Sequence, residues 1–214
     1  MKIQLENVKP MEIEKRSFEI IGQELKEQGK ILQPDTELIV KRCIHTSADF
    51  DYADNLAFSP GAVEQALAAI REGADIVTDT QMAKAGINKR SLARYGGQVH
   101  CFMSDEDVAA AAKAAGTTRA TASMDKAAAL GGNFIYAVGN APTALVRLYE
   151  LIQEGKINPK LIIGVPVGFV NVVASKELIM ETEVPWIIAR GRKGGSNIAA
   201  CICNALLYML NNER

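Results

Sequence analysis

Apolar positions recur at helical spacing through the first third of the chain. Residues 11–29 predict a helix with Ile13, Ile20, Ile21 and Leu25 on its apolar side and Gly29 as its stop. Pro34-Asp35-Thr36 predicts a second helix start, capped by Asp35 or Thr36, with Leu38, Ile39, Val40 and Cys43 facing inward. Ser59-Pro60 predicts a third start, serine at the cap and proline in the first turn. Val63, Leu67 and Ile70 line that helix, which ends near Gly73. Beyond it the rhythm changes. Short apolar runs at 75–78, 98–103, 133–138, 160–165 and 186–189 alternate with helical stretches at 105–115, 119–130, 142–153, 175–182 and 196–210. Strands that alternate with helices imply a parallel sheet covered on both faces. The expected fold is a three-layer α/β/α single domain over residues 1–214, with a mainly parallel sheet of about five strands and an N-terminal helical segment.

Right-handed crossovers put the strand C-termini on one edge, where ligands of open parallel sheets bind. The loops at that edge carry unusual residues: Thr78-Asp79-Thr80, then Gly139-Asn140-Ala141-Pro142-Thr143, then Gly164 to Val170, then Arg190 to Asn197. Helix starts beyond such loops offer free N–H groups to a carboxylate or phosphate. Asn140, Thr143 and Gly164 are therefore candidate ligand contacts. Arg190, Arg192 and Lys193 add three cations in a stretch with no acid between residues 184 and 198. The P-loop pattern is absent, and GRKGGSN lacks the order of a dinucleotide loop and follows the last strand, so a nucleotide enzyme is disfavoured.

Composition narrows the partners. Of 214 residues, 48% are hydrophobic and 23% charged, with net charge −1, so no global field favours nucleic acid or an anionic membrane. No apolar run approaches the roughly 20 residues of a membrane span, and the first residues lack a signal-peptide core. The expectation is a cytoplasmic protein with neither nucleic acid nor membrane as partner. Cys43, Cys101, Cys201 and Cys203 show no zinc spacing and read as reduced thiols in or near the core; no metal site is expected. Asp49, Asp51 and Asp54 lack the glycine and terminal glutamate of a calcium loop and read as turn and cap residues.

His45 is one of two histidines and closes the second predicted helix, one turn after Lys41 and Arg42. An imidazole is the side chain that ordinarily titrates nearest neutrality, which makes His45 a candidate proton donor. A helix C-terminus favours a cation there, while Lys41 and Arg42 oppose one. His100 reads as structural.

Six segments in order complete the picture: Lys15-Arg16-Ser17-Phe18, VKRCIHTSADFDY, FSPGAV, GNAPTAL, GVPVGFVNVVASKE and RGRKGGSN. Together they make the chain resemble the precorrin-8X methylmutase family of cobalamin biosynthesis, from about residue 14 to 200. The resemblance implies an isomerase that shifts a methyl group from carbon 11 to carbon 12 of a corrinoid ring, a homodimer, and no consumed cofactor. Any cobalt would travel with the substrate. It also implies that His45 is the catalytic proton donor and acceptor, with Ser17, Arg42 and Arg119 among the substrate contacts. Lys15 departs from a glutamate that occurs in the family. The substrate is a large flat ring edged by carboxylates. Arg42, Arg119, Arg190 and Arg192 suit those carboxylates, and Val165, Val167, Phe169 and Val170 suit the apolar ring face. The HTSADFDY wording resembles the cobalt-using branch. Two competitors stand beside this reading: a non-catalytic corrinoid carrier, and a nucleotide enzyme using the glycine-rich loops.

Overall fold

A computed structural model describes residues 6–211. A 3-10 turn (Pro10–Glu12) leads into α1 (Ile13–Glu27), α2 (Glu37–Ser47), the short α3 (Tyr52–Asn55) and β1 (Leu56–Phe58). Next come α4 (Ala62–Arg71), β2 (Asp75–Thr78), α5 (Gln81–Gly86), α6 (Lys89–Ala93) and β3 (Val99–His100). The chain continues through α7 (Glu106–Ala115), α8 (Arg119–Leu130), β4 (Phe134–Val138), α9 (Pro142–Gln153) and β5 (Leu161–Gly164). It closes with α10 (Val172–Met180), β6 (Trp186–Ala189) and α11 (Ser196–Asn211).

The strands form one sheet in the order β1-β6-β5-β4-β2-β3. Every pairing is parallel except the edge strand β1, which runs antiparallel to β6 with Leu56 opposite Ala189. β4 and β5 are buried along their whole length, as unbroken apolar runs with helices on both sides should be. Alternation along β4 divides the core. Ile135 and Ala137 join α2, α4 and α11, whereas Phe134, Tyr136 and Val138 join α8 and α9. On the first face the helices are stacked in depth: α11 lies on the sheet, α2 lies on α11, and α1 rests chiefly on α2.

The expected architecture holds, with corrections at its edges. The sheet has a sixth strand, because Leu56–Phe58 pairs with β6. The Ser59-Pro60 start is displaced: Gly61, at φ 68°, precedes the first helical residue Ala62. Ser59 instead extends the β1–β6 ladder, its Oγ accepting the Trp186 N–H at 2.9 Å and its N–H donating to the Trp186 carbonyl at 3.0 Å. Thr36 does precede α2, but its hydroxyl donates to the Gln33 carbonyl and caps nothing. The run at 98–103 contracts to Val99–His100, and α10 starts three residues before 175. On α1 only Ile21 and Leu25 are buried; Ile13 and Ile20 are 53% and 38% exposed.

Glycines bring the strand-end loops together. The Gly195 N–H donates to the Val165 carbonyl at 2.8 Å, so the loops after β5 and β6 are tied. A β-carbon on Gly194 (φ 156°) would lie 2.0 Å from the Val165 oxygen, and one on Gly139 would lie 2.6 Å from the Ser196 α-carbon. Only glycine allows these backbones to touch. Gly194→Ala is expected to lower stability by about 2–4 kcal/mol through strain and overpacking. Urea unfolding with an unchanged midpoint would contradict this account of the loop pair.

Candidate active site

The apolar face of α2, formed by Ile39, Val40, Cys43 and Ile44, is buried against the core. That fixes the helix rotation and turns His45 outward, where it is exposed. Ala48 in the left-handed conformation (φ 54°) ends the helix, its N–H donating to the Ile44 carbonyl at 2.7 Å. Arg42 is three residues before His45 and shares its side of the helix. The Phe18 ring on α1 lies 5.5 Å from the His45 ring and 5.4 Å from the Arg42 guanidinium carbon. Tyr208 on α11 lies on that guanidinium at 4.3 Å. Arg42 is thus buried and held between two aromatic rings. Its Nη1 pairs with Glu14 at 3.2 Å, while Nε and Nη2 are buried without a partner. Lys41 pairs with Glu37 at 2.5 Å. Both cations before His45 therefore meet carboxylates, which offsets the repulsion expected from the sequence. Ser17 is half-buried beside Phe18, with its hydroxyl donating to the Ile13 carbonyl at 2.9 Å.

Three links bring the His45 end of α2 to the C-terminal edge of the sheet. Leu56 stands opposite Ala189, the last residue of β6. The Arg190 N–H donates to the Asn55 carbonyl at 2.8 Å. The Lys193 ammonium, from the β6 loop, meets Asp49 at 2.6 Å and also Asp51. The Asp49 carboxyl is held below its usual range by Lys193, and Lys193 is raised well above its own by Asp49 and Asp51. Asp49 also accepts the Asp51 N–H at 3.1 Å, so the turn role expected for these acids is joined by a charge role. Asp54 pairs with Lys30 at 2.7 Å.

Beneath that loop lies Lys176 of α10, buried, its Nζ donating to the carbonyls of Gly191 and Lys193 at 2.8 and 2.9 Å. Arg190 and Arg192 project from the loop so held, and both are exposed. The Arg192 guanidinium lies 5.2 Å from the Phe169 ring. Phe169 and Val170 are each 79% exposed and Val167 is 50% exposed, an apolar patch next to cations; Val165 is fully buried and belongs to the core.

The other face supplies a second group. Asp79, fully buried after β2, accepts the N–H groups of Gly139, Asn140 and Ala141 at 2.8, 2.8 and 2.6 Å. Burial pushes its carboxyl up and the three donors oppose that. This carboxylate shapes the loop that exposes Asn140 and Thr143. Thr118 caps α8, and its hydroxyl lies 2.9 Å from that of Thr143, which places exposed Arg119 beside the start of α9. Gly164 is buried at the end of β5, and a β-carbon there would lie 2.4 Å from Ile188 Cδ1. Close strand packing accounts for this glycine, and no open surface belongs to it.

The predicted residues thus fall into two clusters. Arg42 and His45 share Phe18 as a neighbour on the α1–α2–α11 side, with Ser17 next to Phe18 in α1, while Arg119, Asn140 and Thr143 gather on the α8–α9 side; Arg190 and Arg192 lie on the loop tied to the first. Arg119, Arg190, Arg192 and the His45 imidazole are exposed, whereas Arg42 is buried. Among the described residues no group of three or more His, Cys, Asp or Glu side chains could hold a metal, and no helix is long and apolar enough to cross a membrane. All four cysteines are free thiols; Cys43, Cys101 and Cys203 are buried. Cys201 is drawn down to about 7 by the hydrogen-bonded Cys43 thiol, then by the Thr46 hydroxyl and the Arg42 charge.

Sequence reading passed over Glu14, Tyr208 and Lys176. Glu14 and Phe18 are four apart on one helix, a spacing that puts them on one side. Lys176 follows VVAS and precedes ELIM, so its apolar setting was visible. Tyr208 had no signal, because only the helix crossing brings it to Arg42.

Comparison with known proteins gives a consistent result. The family model described as "CbiC: Precorrin-8X methylmutase" matches residues 12–209. The chain is 47% identical over 205 residues to the cobalt-precorrin-8 methylmutase of Salmonella typhimurium, covering 94% of this chain and 96% of that one. It is 43% identical over 206 residues to the protein of the same name from Priestia megaterium, covering 96% and 90%. A crystal structure of precorrin-8x methyl mutase from Thermus thermophilus superposes with a TM-score of 0.85 at 39% identity, covering 94% and 98%.

Burial pushes the Lys176 ammonium down to about 8, against roughly 10.4 in an unfolded chain. Between those values the unfolded chain holds a proton that the folded chain has lost, so stability contributed at this position rises with pH. The stability difference between the native protein and Lys176→Met should therefore move in favour of the native protein from about pH 8 to about pH 10. Urea titrations giving a flat or falling difference over that window would contradict it.

Proposed function

The chain belongs to the precorrin-8X methylmutase family, and from that premise we propose how its own residues carry out the methyl shift. It is an isomerase that moves a methyl group within a corrinoid ring. The C–CH3 bond at carbon 11 breaks as the bond at carbon 12 forms, the ring conjugation adjusts, and nothing is consumed. No nucleophile is required. What is required is a proton delivered to the conjugated ring, which makes the crowded carbon easier for the methyl to leave, and then recovered.

His45 supplies that proton. The observation that carries this reading is its position: exposed on the last turn of α2, beside Phe18 and Arg42, on a helix end tied to the cationic loop after β6. Arg42, Arg119, Arg190 and Arg192 take the peripheral carboxylates, arginine being suited to paired contacts. Ser17, Asn140, Thr143 and the N–H groups of the strand-end loops add donors. Gly164 contributes by shape, letting β5 and β6 pack closely. The apolar patch of Val167, Phe169 and Val170 lies against the ring, and a second copy of the chain closes over it to give a homodimer.

The ring is the cobalt-bearing form. This rests on the HTSADFDY wording and on the names of the Salmonella and Priestia relatives. The cobalt enters with the substrate; the protein needs no cofactor of its own. The reaction belongs to the cytoplasm. Membership of an enzyme family favours catalysis over a non-catalytic carrier role.

His45→Ala is expected to bind the corrinoid product with little change while the rearrangement slows about 100- to 10,000-fold, the usual share of a general acid. The absorption spectrum of the ring during single turnover reads this directly, and an unaltered rate would refute the assignment. With the native protein, the cobalt-loaded substrate should turn over faster than the metal-free one. Equal rates on the two would remove the branch assignment and leave the reaction type intact.

A further inference from the structure

The buried side chain of Arg42 is incompletely satisfied. Of its three nitrogens, Nη1 meets one Glu14 oxygen at 3.2 Å, and Nε and Nη2 have no partner although both are buried. Leaving buried donors unpaired is costly, and the Nε–Nη2 side is the edge on which arginine takes a carboxylate in two parallel contacts. The covering layer over it is α1, whose attachment is uneven. Its two buried residues, Ile21 and Leu25, are both in the second half. The first half brings Glu14 and Phe18 to Arg42, Phe18 also reaching His45, and leaves Ile13 and Ile20 exposed, as is Met11 in the 3-10 turn before it. A cleft of about 560 Å³ borders this half, lined by Pro10, Met11, Glu14, Lys15, Phe18 and Leu38. There is thus space next to the weakly attached half of the helix, and little apolar burial holds it down.

We propose that Glu14 is a latch: a resident carboxylate that holds the first half of α1 closed over Arg42 and is displaced when a substrate carboxylate takes the guanidinium. This rests on the reading of Arg42 as a substrate contact and adds a residue to it. The Glu14–Arg42 pair, at 3.2 Å with a partly exposed carboxylate, is of the modest size typical of such pairs. A carboxylate using the Nε–Nη2 edge makes two contacts and satisfies both orphaned donors, which outweighs the Nη1 pair given up when the latch opens. Opening the latch also moves Phe18, which touches Arg42 and His45 alike. Carboxylate binding and the freeing of the imidazole face that Phe18 contacts are therefore one event. Tyr208 keeps its side of the guanidinium throughout, because α11 is anchored in the core.

The test is a binding titration of hydrogenobyrinate or cobyrinate, whichever the native protein holds more tightly, followed by the absorption of the ring. Four proteins are compared: native, Glu14→Gln, Arg42→Met and the double variant, each with its unfolding midpoint recorded. Glu14→Gln keeps the shape of the side chain and removes its charge. It is expected to bind about fivefold more tightly than the native protein, the effect of withdrawing one such ion pair from competition. The gain should vanish in the Arg42→Met background, as a latch acting through that guanidinium requires. A merely structural Glu14 would give the opposite result, weaker binding with a lowered midpoint, and would overturn the proposal. Unchanged affinity in Glu14→Gln alongside weakened binding in Arg42→Met would overturn the latch and keep Arg42 as a contact. Unchanged affinity in Arg42→Met would overturn the contact itself, and the latch with it.

Discussion

The seating of α2 on α11 is the interaction on which the site depends. Ile39, Val40, Cys43 and Ile44 enter the core between the two helices, and this fixes which side of α2 faces solvent. Once that rotation is set, Arg42 must lie against Tyr208 and His45 must point outward beside Phe18. Burial of this size, four apolar side chains within six residues, outweighs any single polar contact nearby. An imidazole carried on a loop would lack that definition; here it rides on a helix whose orientation the core dictates.

The second constraint is electrostatic and acts at the sheet edge. Lys193 bridges the β6 loop to Asp49 and Asp51, and Lys176 holds the same loop from below through two carbonyls. A buried lysine without a carboxylate partner is costly. Its two backbone acceptors explain how it is tolerated, and they give the loop a single shape. The result is that helix end and cationic loop are tied to each other. Asp79 does the same for the loop bearing Asn140 and Thr143, satisfying three N–H groups with one carboxylate. Exposed arginines are thereby placed on backbones that buried charges have already fixed.

Much of this was legible in the chain. The strand–helix alternation from Asp75 onward specified the parallel sheet. His45 stood out as one of two histidines at a helix end. The misses have physical reasons. Leu56–Phe58 is too short for periodicity to show, and it becomes a strand only because β6 offers it a free edge. Ile13 and Ile20 looked like core because spacing cannot tell a buried stripe from one left exposed. The burial of Arg42, its two aromatic neighbours and its Glu14 partner all arise from helix crossings, which join residues far apart in sequence. Gly164 shows the converse: its loop looked like a ligand contact, while the space for its missing side chain is filled by Ile188.

The central claim is that a single imidazole passes a proton to the ring and takes one back. The direct test follows both histidines of the protein by NMR across the neutral range in the product complex, with His100, paired to Asp75 at 2.8 Å, as the internal control. The single-turnover rate of rearrangement is measured over the same range. The account predicts that the rate follows the protonated fraction of His45, with coincident midpoints and no relation to His100. A rate that stays level while His45 titrates would contradict it.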